Sequence, residues 1–211
     1  MTTIKDPATQ KTLSRLHQEA ANQSLILLKG LTKGIFRKLK PEDMEEAYIP
    51  ISSRQGKFIF DLLVKNQSKN IIEFGTSFGI STIYLGAAAK LTGGKVITSE
   101  ILKSKCEVAR QNFTEAGLSD FIEIREGDAM ETLKDLPADI DFLLLDGWND
   151  LYLPLLKMLE PKFKSGTLIY TDNATFRSAK PLLDYLRSSN RYDSKPVKDD
   201  KGGSDLSRYV G

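Results

Sequence analysis

The chain has 211 residues, 40% hydrophobic and 27% charged, enough apolar material to bury the core of one domain. Its 30 Lys and Arg nearly balance 28 Asp and Glu, which excludes a strong whole-molecule attraction to nucleic acid or an acidic membrane. The single cysteine, Cys106, excludes an internal disulfide and a thiolate zinc cage. With no apolar leader in residues 1–13 and no run of eighteen uncharged apolar residues, the expectation is a soluble, cytoplasmic chain with no membrane partner.

Residues 8–31 mix Leu, Ile and Ala with Lys, Gln and Glu at helical spacing, and Gly30 offers a stop, so one or two helices are expected. Lys29, Lys33, Arg37, Lys38 and Lys40 form a basic stretch that reads as a solvated helix face or an anion or RNA contact. The absence of interleaved aromatics to stack on bases favours the solvated face. After Pro50 the spacing of Phe58, Ile59, Leu62 and Leu63 predicts a helix over residues 53–65. Strands are then predicted over 70–74, 95–99, 121–125, 141–145 and 167–171, separated by helices over 80–90, 103–116, 130–135 and 151–159. Five strands alternating with helices require a mostly parallel sheet covered on both faces. A helix over 179–188 follows, and residues 191–197 and 206–210 flank a Lys-Asp-Asp-Lys-Gly-Gly turn, which predicts a closing antiparallel pair. The whole reads as a single α/β domain with a seven-stranded sheet, residues 1–66 forming an N-terminal helical extension and 67–211 the core.

Between the first predicted strand and its helix lies Glu73-Phe74-Gly75-Thr76-Ser77-Phe78-Gly79. Glycine at a strand end lets the backbone turn tightly and approach a ligand, and the following helix N-terminus offers free amides. In open parallel sheets such a loop is a nucleotide site. A dinucleotide fingerprint needs glycine where Ser77 and Ile80 stand, and a phosphate-binding P-loop needs a Gly-Lys-Ser or Gly-Lys-Thr that is missing. At the end of the second strand, Glu100 could accept both hydroxyls of a ribose, and the third strand is followed by Gly127-Asp128-Ala129. Each acid alone also reads as a helix cap or an exposed loop residue.

An acid followed by Gly-x-Ser-x-Gly, then Glu100 and Gly127-Asp128-Ala129 on successive strands, resembles the class I S-adenosylmethionine-dependent methyltransferases of Rossmann-like fold. The resemblance implies S-adenosyl-L-methionine as cofactor. Glu73 would stand near its amino group, amides from Gly75 through Thr76, Ser77 and Gly79 to Ser81 would frame it, Glu100 and Ile101 would meet the ribose, and Asp128 and Ala129 the adenine. Ile51 and Ser52, ahead of the loop, would also touch it.

The fourth strand ends in Asp146-Gly147-Trp148-Asn149 and the fifth in Asp172-Asn173. Three oxygen ligands at one sheet edge would suit a hard, six-coordinate ion such as magnesium, although Asp172 and Asn173 also read as a cap for the next helix. Over about residues 50–173 the pattern resembles small metal-dependent O-methyltransferases of the catechol and caffeoyl-coenzyme A type. The resemblance implies Asp146, Asp172 and Asn173 as ligands of Mg2+ or another divalent cation, with Asp146 also on the cofactor side. It implies a small hydroxylated molecule as acceptor and Trp148 as a wall of the cofactor pocket, where an aromatic could equally be core. The resemblance also implies Asp146 and Asn149 as the residues at the catalytic positions. The family commonly carries a lysine base where this chain has Asn149, which takes no proton at neutral pH. Three readings stay open: the metal acidifies the hydroxyl unaided, another residue is the base, or the activity has diverged.

His17, the only histidine, lies in the helical extension away from any triad, and Cys106 fits a helix interior among Val108 and Ala109. Tyr48 and Phe176 are candidates for the acceptor pocket or for covering a core edge. Two other functions compete. An N-methyltransferase of RNA or protein would by resemblance carry an Asn-Pro-Pro-Tyr type loop where Asp146-Gly147-Trp148-Asn149 stands, and a noncatalytic cofactor-binding protein is the reading that Asn149 supports. Related enzymes often pack an N-terminal helix across a dimer, so a homodimer is expected.

Overall fold

A computed structural model describes residues 4–22, 43, 50–197 and 203–211. Seven strands form one sheet: β1 (Asn70–Phe74), β2 (Lys95–Glu100), β3 (Ile122–Glu126), β4 (Ile140–Leu145), β5 (Phe163–Thr171), β6 (Tyr192–Val197) and β7 (Ser204–Tyr209). Their order across the sheet is β3-β2-β1-β4-β5-β7-β6. The first five run parallel, and β7 pairs antiparallel with both β5 and β6. The order therefore reverses between β1 and β4, and the crevice beyond their carboxyl ends is where open α/β sheets bind ligands.

Alternation along the strands sorts the core. In β4, Phe142 and Leu144 join one apolar cluster while Leu143 and Leu145 join the other. Ile71 and Ile72 of β1 divide in the same way, as a two-residue period with both faces covered demands. One face is covered by α1 (Pro7–Asn22), α2 (Ser53–Lys65), α3 (Ile80–Thr92) and α4 (Lys103–Glu115). The other is covered by α5 (Ala129–Thr132), α6 (Tyr152–Leu159) and α7 (Lys180–Ser188). Leu13 and Leu16 of α1 and Ile59, Phe60 and Leu63 of α2 are buried in the first cluster with sheet residues. Each such side chain contributes about 1.5 to 3 kcal/mol of apolar burial, offset by the entropy of ordering.

Most expected elements form within a residue or two, and the departures have physical causes. Helix α5 stops at Thr132, short of the expected 135, and is capped by Asp128, whose side chain accepts from Met130 N at 2.8 Å. Residues 119–121 and 149–151 wind as single 3-10 turns, delaying β3 and α6 by one residue each. The fifth strand starts four residues early, at Phe163, because it pairs with Ile140 before a register shift, and Thr167 Oγ1 donates to Ile140 O across that irregularity. The closing pair is Tyr192–Val197 with Ser204–Tyr209, so β7 begins two residues before the expected start. The basic stretch 29–40, the continuation of the first helical pattern to residue 31, and Tyr48 lie outside the described residues. Among the described residues no helix is long and apolar enough to cross a membrane.

Candidate active site

The site begins where β1 ends. Gly75 has φ +102°, and a Cβ there would lie 2.5 Å from the Asp146 carbonyl oxygen, so only glycine lets the loop pass this close to the end of β4. Ser77 follows at φ 48° and Gly79 at φ 90°. Gly79 occupies the N-cap of α3 but offers no side-chain cap, which leaves the first amides of that helix available to an anion. The amides of Gly75 and Thr76 both donate to Ser99 O, fixing the loop to the end of β2.

A cleft opens here, lined by Pro50, Ile51, Gly75, Thr76, Ser77, Phe78, Ile80, Ser81 and Asp146. Of the expected cofactor residues it gathers Ile51, Gly75, Thr76, Ser77, Ser81 and Asp146. Ser52 stands behind Ile51 as the N-cap of α2, its hydroxyl accepting from Gln55 N at 3.2 Å. Glu100 is joined to the loop directly: its Oε2 accepts from Ser77 N and its Oε1 from Leu102 N, each at 2.9 Å. Next to it, Gly127 N donates to Glu100 O at 2.8 Å, which brings the Gly127-Asp128-Ala129 turn alongside Glu100. Ile101 is half exposed beyond Glu100, Ala129 is buried, and Asp128 is engaged as the α5 cap. Trp148 packs partly buried against the second apolar cluster.

Glu73 differs from its expected surroundings. It is fully buried and absent from the cleft lining, with Oε2 accepting from Thr82 at 2.5 Å and Thr98 at 2.6 Å. Its Oε1 is buried with no hydrogen-bond partner. Burial pushes its pKa up, and the Ser81, Thr82 and Thr98 hydroxyls oppose that shift. In this geometry the acid ties the end of β1 to α3 and β2.

The acceptor-side residues converge. Asp146 follows β4 and Asp172 follows β5, and the two carboxyl groups lie close enough to act on each other's titration. Burial raises the Asp172 pKa, while Asp146, Ser204, the Asn173 backbone and Gln55 lower it. Asp172 Oδ1 accepts from Gln55 Nε2 at 2.8 Å and from Ser204 Oγ at 3.2 Å. Asn173, at φ 53°, turns the chain immediately beyond. Neighbouring carboxyl groups disfavour each other's ionisation unless a proton or a cation lies between them, and two carboxylates with an amide are a donor set that suits a hard divalent ion. Among the described residues no group of three or more His, Cys, Asp or Glu is placed to hold a metal ion.

Asn149 lies in the 3-10 turn after Trp148, its Nδ2 buried without a partner. The neighbouring Tyr152 hydroxyl is also buried and unpartnered, and burial, then Asp146 and Asp172, push its pKa well up, so it keeps its proton. Sequence reasoning missed Gln55, Tyr152 and Ser204. For Gln55 the signal was present, since Ser52-x-x-Gln55 is the pattern of a reciprocal helix cap. His17 contacts Tyr84 Oη at 3.2 Å, Cys106 is buried, and Phe176 is half exposed.

A parallel sheet with this strand order, an antiparallel β7 inserted between β5 and β6, and a glycine loop facing acids at the ends of β2, β4 and β5 define the Rossmann-like methyltransferase fold. The chain belongs to the O-methyltransferase family, whose model matches residues 18–181. It is 35% identical over 138 residues to a catechol O-methyltransferase of Niastella koreensis, covering 64% of this chain and 62% of that protein. It is 29% identical over 196 residues to caffeoyl-CoA O-methyltransferase 1 of Eucalyptus globulus, covering 81% and 79%. The chain thus spans less than two thirds of the catechol enzyme it matches. The crystal structure of an O-methyltransferase from Bacillus cereus in complex with SAH superposes with a TM-score of 0.74 at 21% identity, covering 94% of this chain and 90% of that one.

Proposed function

We propose that this chain is an S-adenosylmethionine-dependent O-methyltransferase that acts on a hydroxyl of a small molecule with the help of a divalent cation. The observation that carries the reading is the gathering of the Asp146 and Asp172 carboxyl groups, near enough to act on each other's titration, beside a cleft framed by the glycine loop. The residues fit both groups. Uncapped amides at the start of α3 suit the methionine carboxylate, and the Glu100 carboxylate at the loop suits ribose hydroxyls. Asp146, Asp172 and Asn173 would hold the cation.

When bound, S-adenosylmethionine supplies an electrophilic methyl on a sulfonium, and the cation lowers the pKa of the acceptor hydroxyl. Asp146 belongs to both halves: it lines the cleft and neighbours Asp172, so it fixes where the acceptor meets the methyl. Gly75, packed on the Asp146 carbonyl, sets the distance between cofactor loop and acceptor edge. Much of the acceleration would then be positioning. Asn149 takes no proton, and Tyr152 keeps its own, so neither serves as base. The cation that Asp146, Asp172 and Asn173 would hold would supply the acidity, and the proton of the acceptor hydroxyl would pass to solvent. A homodimer in the cytoplasm completes the proposal, the compartment in keeping with the lone Cys106.

The buried amide of Asn149 favours a second reading, a cofactor-binding protein without transferase activity. A methyl-transfer screen with catechols and other vicinal diols, with magnesium and with a chelator, separates the two. Activity that the chelator removes supports the enzyme. Cofactor binding with no transfer to any diol supports the second reading.

A further inference from the structure

The loop that frames the cofactor cleft is strained and braced. Ser77, at φ 48°, holds a left-handed conformation that a non-glycine residue keeps only when its surroundings enforce it. One face of α4 supplies that bracing at three successive loop residues. Lys105 Nζ stands 3.4 Å from Ser77 Oγ and 5.1 Å from the Phe78 ring centre. Asn112 Nδ2 donates to Phe78 O at 2.9 Å. The Phe113 ring meets Gly79 so closely that a Cβ there would lie 2.5 Å from it. Lys105, Asn112 and Phe113 are all buried, and their spacing puts them on one side of the helix.

Asn112 is itself held from the far side by α1. Arg15 Nη2 donates to Asn112 Oδ1 at 2.7 Å, and also to Glu115 at 2.7 Å, while Nη1 pairs with Glu19 at 2.8 Å. Thr9 Oγ1 donates to Ala116 O at 3.0 Å, Lys90 pairs with Asp6 at 2.9 Å, and Leu13 and Leu16 are buried, so α1 is seated along its length. Both ends of the Asn112 amide are thereby used, one on the N-terminal helix and one on the cofactor loop. We propose that Arg15 and Asn112 are positioning residues for the cofactor loop, so that docking of α1 sets the affinity of the cleft for the adenosylmethionine class of ligand. This inference rests on the methyltransferase reading.

The test is calorimetric titration of the full chain with S-adenosylhomocysteine, reading dissociation constant and stoichiometry separately. Asn112→Asp keeps the acceptor for Arg15 and replaces the donor to Phe78 O by a carboxylate oxygen. It should weaken binding at least fivefold with stoichiometry near that of the wild type. Arg15→Met, at a partly exposed position, should weaken binding in the same direction by a smaller factor, Arg15→Lys should recover part of the loss, and amide exchange in residues 75–79 should accelerate in both weakened variants. A general loss of fold would lower the stoichiometry and leave the dissociation constant of the remaining protein unchanged, which would overturn the proposal for that variant, leaving Arg15→Met to decide. Wild-type binding with both variants within twofold of it overturns the inference alone. No binding by the wild type overturns the methyltransferase reading and the inference with it.

Discussion

Gln55 Nε2 donates a 2.8 Å hydrogen bond to Asp172 Oδ1, joining residues 117 positions apart in the chain. The same side chain accepts from Ser52 N through Oε1 at 2.8 Å, so one buried amide ties the cap of α2 to the candidate metal carboxylate. Gln55 and Ser204 both hold Oδ1, which fixes the orientation of the Asp172 carboxyl group. Partners of this kind orient the ligands they touch. Gln55→Met should therefore weaken Mg2+ or Mn2+ binding about 10-fold or more. Calorimetry with metal in the presence of S-adenosylhomocysteine checks it, with Asp172→Ala as the variant expected to lose metal binding altogether. Equal metal affinity in Gln55→Met would mean that Asp172 is oriented by other contacts.

Glu100 takes two backbone amides in this structure, and those of its lone pairs not so engaged are what ribose hydroxyls would use. Glu100→Ala removes both functions at once. It should weaken S-adenosylmethionine binding by about 1 to 3 kcal/mol, the range for lost bonds to a charged group. Unchanged affinity would remove the ribose assignment.

Asp141 clamps the opposite end of the sheet, its Oδ2 accepting from the amides of Lys69 and Asn70 at 2.8 Å each. Burial alone would raise its pKa, but Lys164 and those two amides outweigh it, and the net shift is downward from 3.8. The ionised form therefore stabilises the fold. That contribution is fully present above about pH 4 and is lost as pH falls through the lower folded value. Asp141→Asn should cost about 1 to 3 kcal/mol at neutral pH and progressively less below pH 4. Chemical denaturation from pH 7 to pH 3 measures this, and a pH-independent difference would contradict it.

Cys106 is fully buried on α4, and burial pushes its thiol up to about 11. At pH 8 the native protein should react with iodoacetamide far more slowly than the unfolded chain, since only the thiolate attacks. Mass spectrometry of the alkylated fraction with and without denaturant gives the ratio, and equal rates would place the thiol at the surface.

The sheet was legible in sequence because its strands are continuous apolar runs such as Phe142 to Leu145, bounded by glycine or acid at the carboxyl ends. Strand and helix ends were less so. The start of β5 depends on a register shift against Ile140, a pairing that no local pattern encodes. The glycine loop, Glu100 and the Asp146 and Asp172 pair were visible because each stands at a strand end in a recurring order. Gln55, Asn112 and Arg15 were not, because their roles come from contacts across 34 to 117 residues made by side chains that look like ordinary helix polar positions. Glu73 was expected near the amino group of the cofactor. The Thr82 and Thr98 hydroxyls that bury it in hydrogen bonds come from α3 and β2, and only the fold brings them together.

The most direct test of the account is a calorimetric titration of the wild-type chain, first with S-adenosylmethionine and then with magnesium in the presence of S-adenosylhomocysteine. The account predicts one cofactor bound per chain, followed by one magnesium that Asp172→Ala abolishes. Cofactor binding with no metal binding would contradict the metal-assisted mechanism, and no cofactor binding would contradict the central claim.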